Sequence, residues 1–458
     1  MVEINLTGAS NSDRIKIYRY RWIVLLIFCL FTIVNFMQML QFTIIANIIT
    51  EYYDVAGFAV DVSGLIFFIL YVLLFLPVSY LIEKYSLWIT AVVSSGLTFL
   101  GCLVKLLCAD PNRFYVVIIG QAFCALGQVY MLSIPSKFAA TWFGPDEVST
   151  ACAIAVLGTQ LGVALGSVFP PLIIKKDDDN VGENLSHMMI YNASVSAVVF
   201  IIVIVFFRGR PKLPPSQSQL QLIEDNDQPK FLDNARKLIR NKDFLVILLS
   251  FGLFTGLWNS FGIMINTLYI HYFPNGESDV GIIVLLATIS GGCIGSVVFG
   301  LALDKTHKFK QITIGVMVTS SVMYIFVAFS LIYQCRIAAF FTITIFGFFA
   351  ASVMAISFEY TIEVTYPIPE SVSCSVLNAT VFLFSIICTL LIEGLISTIG
   401  YLYSFGIGLI AFIICDCVVC FVSSNLHRRN ANIAEKIPGE LSQEESQHVG
   451  SDNTSMIQ

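Results

Sequence analysis

Twelve uninterrupted apolar runs, each at least about 20 residues long, limit this chain to very few folds. In the first part they are Trp22–Ile49, Ser63–Ile82, Trp88–Cys108, Phe114–Ser136, Val148–Ile174 and Met188–Phe207. The second part adds Phe244–Phe273, Val280–Leu303, Ile312–Tyr333, Ile337–Ile362, Val372–Ile396 and Tyr401–Ser424. At 1.5 Å rise per residue, about 20 helical residues cross a hydrocarbon layer about 30 Å thick. Lipid offers the backbone no hydrogen-bond partners, so only helices or closed barrels span it. The runs lack the strict alternation of barrel strands, and an all-α membrane protein of twelve helices is expected.

Composition agrees: 57% of residues are hydrophobic and only 12% charged, half the charge of a soluble domain. The twelve cysteines lie almost wholly inside the runs and make no disulfide framework. Cys417-x-x-Cys420 sits within a run with no second pair and reads as packing, not as a metal site. No phosphate loop, His-Glu-x-x-His or Gly-x-Ser-x-Gly is present, so neither an enzyme nor a metal or other cofactor is expected. The polar, basic start argues against a cleaved signal peptide.

Charge sets the expected orientation. With the N-terminus cytoplasmic, twenty Lys and Arg fall inside, four outside, and Lys105 lies within a run. That bias predicts that both termini are cytoplasmic, with the plasma membrane as the default location. Asn184-Leu-Ser is then an outward glycosylation sequon, and the sequon at Asn5 goes unused. The expected organisation is a segment 1–21, a six-helix half 22–207, a cytoplasmic linker 208–243, a second half 244–424, and a polar acidic tail 425–458 read as disordered.

The halves look like repeats. Glu83-Lys84 after the second run is matched by Asp304-Lys305 after the eighth, 221 residues on. Pro145-Asp-Glu-Val-Ser149 before the fifth run is matched by Pro369-Glu-Ser-Val-Ser373 before the eleventh, 224 residues on. Proline then acid suits any helix start, but local capping does not explain a shared offset. Two six-helix repeats with a midplane site between them describe a major facilitator carrier.

Polar side chains deep in the runs point to that site, because lipid exposure would be costly. Asn35, Gln38 and Gln41 share one face of the first run. Gln128, Asn259, Asn266 and Asn378 follow in the fourth, seventh and eleventh, and the set predicts a polar central cavity. Phe36, Phe42, Phe261, Phe382 and Phe384 accompany it. Trp258 lies too deep for interface anchoring, and an aromatic face binds a quaternary ammonium without a counter-charge. Small residues every fourth position (Gly158, Gly162, Gly166; Ala287, Gly291, Gly295) predict close helix approach and permit sliding between halves. Glu83, Lys84, Lys137 and Glu147 in one half, with Asp304, Lys305, Glu359 and Glu363 in the other, are candidate gating ion pairs. Asp416 and Glu393 are candidate proton sites.

Three stretches are specific: Gln128-Val-Tyr-Met-Leu-Ser-Ile-Pro-Ser-Lys137, Trp142-Phe-Gly-Pro-Asp-Glu-Val-Ser-Thr-Ala-Cys152 and Ala155-Val-Leu-Gly-Thr-Gln-Leu-Gly162. With Leu303-Asp-Lys-Thr306, Phe358-Glu-Tyr-Thr-Ile-Glu-Val-Thr-Tyr-Pro367 and Leu377-Asn-Ala-Thr380, they resemble the feline leukaemia virus subgroup C receptor-related family. The resemblance runs from about Arg21 to Arg429. It implies a major facilitator fold and transport of choline or ethanolamine, with haem as the second substrate class. By the same resemblance Gln128 stands at the family's fourth-helix glutamine and Asn35 at its first-helix asparagine. Met39 replaces a first-helix tryptophan, Asn259 a seventh-helix tyrosine beside Trp258, and Phe382 an eleventh-helix glutamine.

The sequence thus leads to a monomeric carrier moving a small organic cation through the bilayer by alternating access, with no nucleic-acid partner. Haem transport is the alternative substrate reading. A non-transporting receptor or sensor is the alternative of another class.

Overall fold

The computed structural model describes residues 16–422 except 133, 145–146, 176–179, 216–233, 235, 239 and 369. The tail, most of the linker, and the Pro145-Asp146 and Pro369 landmarks therefore lie outside the described residues. Twelve of the described helices are long and apolar enough to cross a membrane, so this is a multi-pass membrane protein. They are α1 (Arg21–Leu40 continued by Ala46–Tyr53), α2 (Gly57–Lys84), α3 (Leu87–Lys105), α4 (Phe114–Leu132), α5 (Val148–Ile173) and α6 (Val181–Phe206). The second six are α7 (Lys242–Tyr272), α8 (Glu277–Ala287 continued by Ser296–Thr306), α9 (Phe309–Ile332), α10 (Arg336–Thr365), α11 (Glu370–Ile399) and α12 (Tyr401–Val419).

Two helices are interrupted, and nothing in their hydropathy announces it. α1 leaves the α-helix after Leu40, passes through a tight turn at Thr43–Ile45, and resumes at Ala46. The piece Arg21–Leu40 is called α1a here, and the piece Ala46–Tyr53 is α1b. In α8 a π-type stretch, Thr288–Gly295, joins the two α-helical parts. Such bulges recur at functional sites. Here it carries Gly292 against Gln160 of α5 in the other half.

The glycine stripes pack helices within each half. A Cβ on Gly162 would fall 2.6 Å from Cβ of Phe36, and one on Gly158 3.3 Å from the Cys29 carbonyl, so α5 lies on the backbone of α1. A Cβ on Gly347 of α10 would fall 2.4 Å from that of Ala287 of α8. The expectation that these stripes serve sliding between halves is therefore corrected: each is used up against a helix of its own half, where small residues permit dense packing. Each half has its own apolar core. One is built on Phe28, Phe31, Phe138 and Phe207, the other on Phe254, Phe346, Phe405 and Phe412.

The second core does not stop at its own half. It continues into Leu40 and Ile44 of α1 and Leu65 and Phe68 of α2. The named contacts across the seam lie in its middle and toward the end of the bundle marked by Tyr53. There Ser167 of α5 donates to the carbonyl of Gly281 of α8 at 3.3 Å. Toward that end the halves are closed on one another.

Candidate functional site

The seam has an aromatic plug at mid-depth. Phe382 of α11 stacks on Phe68 (ring centroids 4.8 Å apart) and meets the edge of Tyr71 at 4.9 Å, both on α2. Such pairs add about 0.5–1.5 kcal/mol beyond area burial. Met39 packs partly buried against the core that runs across the seam and against a first-half cluster around Phe67. Both residues thus stand in the interface that a rocking motion would part.

Gln128 stands apart from the other deep amides. It is 3% exposed and has no hydrogen-bond partner among the described residues, yet its amide atoms are not fully enclosed, unlike the orphaned Oδ1 of Asn35. Asn378 of α11 is likewise buried and unpartnered. Buried amides are normally satisfied, so these two are exceptions, one in each half. Gln128 lies two turns from Gln121 on one face of α4, the face that meets α1 through the bond from Gln121 Nε2 to the Gln38 carbonyl (2.9 Å).

Most of the remaining amides are engaged between helices. Asn35 donates to Thr98 Oγ1 (2.8 Å) and to the Cys124 carbonyl (2.9 Å), while its Oδ1 is unpaired. Gln38 Oε1 accepts from Lys105 at 2.8 Å, and Gln41 Oε1 accepts from Asn192 at 2.8 Å. The face of α1 expected to line an open cavity instead joins α1 to α3, α4 and α6. Asn259 donates to Ser385 Oγ within its own half (3.1 Å). Trp258 meets the edge of Phe346 at 5.3 Å and packs near Phe261, so its contacts are with its own half.

At the Tyr53 end the structure shows a polar seal that the sequence reading missed. Asn266 of α7 donates to the Ile44 carbonyl at 2.7 Å and accepts from the Asn47 amide at 3.2 Å. Asn47 Nδ2 donates to Glu277 Oε1 at 2.5 Å. All three bonds cross from α1b and its turn to the second half. Asn47 was legible as one more amide inside an apolar run, but Glu277 was hidden by its place before the run. Behind the seal, Asp279 accepts from Arg336 Nη2 (2.7 Å) and Tyr269 Oη (3.1 Å), fixing α8 to α10 and α7.

At the other end, where gating ion pairs are expected, Glu359, Glu363 and Lys137 are each engaged. Lys84 and Lys305 are exposed and neither pairs with a described carboxylate. The side chains of Glu83 and Asp304 lie outside the described residues. Lys137 Nζ donates to the Ile82 carbonyl at 2.6 Å. Glu147 pairs with Arg21 of the same half at 2.7 Å. Asn184 sits in the first turn of α6, its amide bonded to the Asn180 carbonyl.

Comparison with known proteins adds the following. Residues 26–370 match the Major Facilitator Superfamily family model. The choline/ethanolamine transporter flvcr2a of Danio rerio is 34% identical over 94% of this chain and 92% of its own length. The Homo sapiens choline/ethanolamine transporter FLVCR2 is 32% identical, covering 98% of this chain and 85% of its own. The choline/ethanolamine transporter FLVCR1 of Felis catus is 33% identical over 93% and 77%. A bacterial homologue of the lysosomal transporter Spinster, inward-facing and unoccupied, superposes with a TM-score of 0.67 at 13% identity, covering 90% of this chain and 99% of its own. The outward form of the transporter FucP gives 0.62 at 12% identity, covering 88% and 100%.

Proposed function

From a chain that belongs to the feline leukaemia virus subgroup C receptor-related family of the major facilitator superfamily, a carrier and not an enzyme, we propose transport of choline or ethanolamine across the plasma membrane. Both ligands carry one ammonium and one hydroxyl. Their transport by alternating access needs a site in the seam that both halves reach. Gln128 carries the reading: a buried amide without a partner matches a hydroxyl that can donate to its oxygen or accept from its nitrogen. Phe382 supplies an aromatic surface from the other half, and aromatic faces attract an ammonium. Asn35 Oδ1 and Asn378 are further acceptors within the set, with Met39, Trp258 and Asn259 bordering it.

The Lys and Arg bias supports a cytoplasmic N-terminus. The Tyr53 end is then extracellular, and it is the closed end. Both halves of the site come from one chain, which supports a monomer as the working unit.

Uptake of labelled choline and ethanolamine by cells expressing this chain, against vector, tests the substrate. Gln128→Ala tests the site. Losing one amide-to-hydroxyl bond removes about 1 kcal/mol, or roughly five-fold in affinity. KM should rise by at least that factor with surface expression unchanged. Equal KM values for variant and parent would dismiss Gln128 as a contact.

A further inference from the structure

Lys105 is fully buried. Its ammonium lies in the interior of the first half, and no carboxylate among the described residues pairs with it. It bonds to Gln38 Oε1 at 2.8 Å and Gln121 Oε1 at 3.2 Å. It also lies 5.8 Å from the ring centre of Phe42. The amide oxygens and the ring are neutral, and the Cys124 and Cys102 thiols also lie beside the ammonium. A buried charge normally demands an opposite charge or a full set of hydrogen bonds, so the location calls for a reason.

The interruption of α1 lies beside it. Gln38 is in the last turn of α1a, where helix carbonyls run out of intrahelical donors and the helix dipole is negative. The amide of Gln121 links the two features: its oxygen accepts from Lys105 and its nitrogen donates to the Gln38 carbonyl at 2.9 Å. Phe42 is the first residue of the turn after Gln41. The lysine stem reaches this point only because position 120 is glycine, where a Cβ would fall 2.4 Å from Lys105 Cγ.

In transporters with broken helices, half-helix C-terminal ends hold the coupling cation. We propose that the Lys105 ammonium is a resident, tethered cation at the break of α1, standing where a soluble cation would otherwise bind. It fixes the end of α1a to α3 and α4, so that α1b alone changes partner at the seal. It is a positioning residue. A carrier so built needs no sodium or potassium at this place.

The test is chemical rescue. Lys105→Ala leaves a channel for the missing stem and an empty cation position. Its transport should fall by about ten-fold or more, because charge-assisted bonds to two amides are lost. Ammonium or methylammonium chloride should restore it by several-fold, and tetramethylammonium, too large for the position, should not. Lys105→Met, which fills the channel without charge, should be inactive and deaf to all three salts. The melting temperature of the purified full chain gives a readout independent of the substrate: ammonium should raise it for Lys105→Ala, not for the parent or Lys105→Met. Should Lys105→Ala not accumulate, Lys105→Met carries the test, and parental uptake in that variant overturns the proposal. So does a folded, inactive Lys105→Ala that ammonium leaves unchanged in both transport and melting temperature. A parent without choline uptake would speak against the substrate reading and leave the melting arm to decide this one.

Discussion

Replacing Asn266 with leucine should unlock the closed end of the seam. The side chain is 1% exposed and makes two of the three hydrogen bonds that tie α1b and its turn to the second half. Leucine keeps the same number of side-chain heavy atoms but removes both. Each bond contributes about 1 kcal/mol net, and leaving the Ile44 carbonyl and Asn47 amide unpaired adds to the loss, for a total of about 2–3 kcal/mol. A shift of that size changes the ratio of closed to open forms by about 30- to 140-fold. The assay is labelling by a membrane-impermeant maleimide of Ile48→Cys, a position 3% exposed on α1b. Exposed Cys335, Cys417 and Cys420 are changed to serine beforehand. When reclosing outpaces labelling, the rate follows the open population, so Asn266→Leu should label at least about ten-fold faster. Asn259→Leu serves as control, because Asn259 bonds within its own half. Equal rates in parent and Asn266→Leu, or an equal rise in the control, would refute the assignment of the seal.

Three further substitutions separate packing from gating. Gly120→Ala should lower the melting temperature by the equivalent of about 1–3 kcal/mol, since the new methyl overlaps the Lys105 stem and the Gly101 carbonyl. Gly262→Ala in α7 meets nothing within 4 Å and should match the parent or gain slightly from helix propensity. Phe382→Ala empties the plug against Phe68 and Tyr71. Purified protein should lose about 3 kcal/mol or more of stability, and affinity for an ammonium substrate should weaken in transport competition.

The fold was legible because lipid forces it. Where the chain must bury its own backbone bonds, a run of about 20 apolar residues leaves only a helix, and the two six-helix groups followed from the basic, Pro-rich stretch between them. Helix starts were less legible. Ser63 is the expected start of the second run, yet α2 begins at Gly57 and carries Asp61, 3% exposed, within it. Val280 is likewise an expected start, whereas α8 begins at Glu277. The break of α1 left no mark, since no proline or glycine stands between Leu40 and Ala46 and the turn is held by tertiary bonds such as Gln121 to the Gln38 carbonyl. For the same reason, sequence could find the deep amides but could not say which would be used up. Asn35, Gln38 and Gln41 look like Gln128 until their neighbours on α3, α4 and α6 are known.

The seal also has a consequence for how the family can vary. Two of its three bonds end on the main chain of the first helix, at the Ile44 carbonyl and the Asn47 amide nitrogen. Main-chain atoms are supplied by every residue, and the donor at position 47 by every residue but proline. Selection on closure should therefore bear unevenly on the two partners. Position 44 can drift among residues of similar bulk while the lock persists, whereas position 266 has little freedom, because few side chains donate and accept at once.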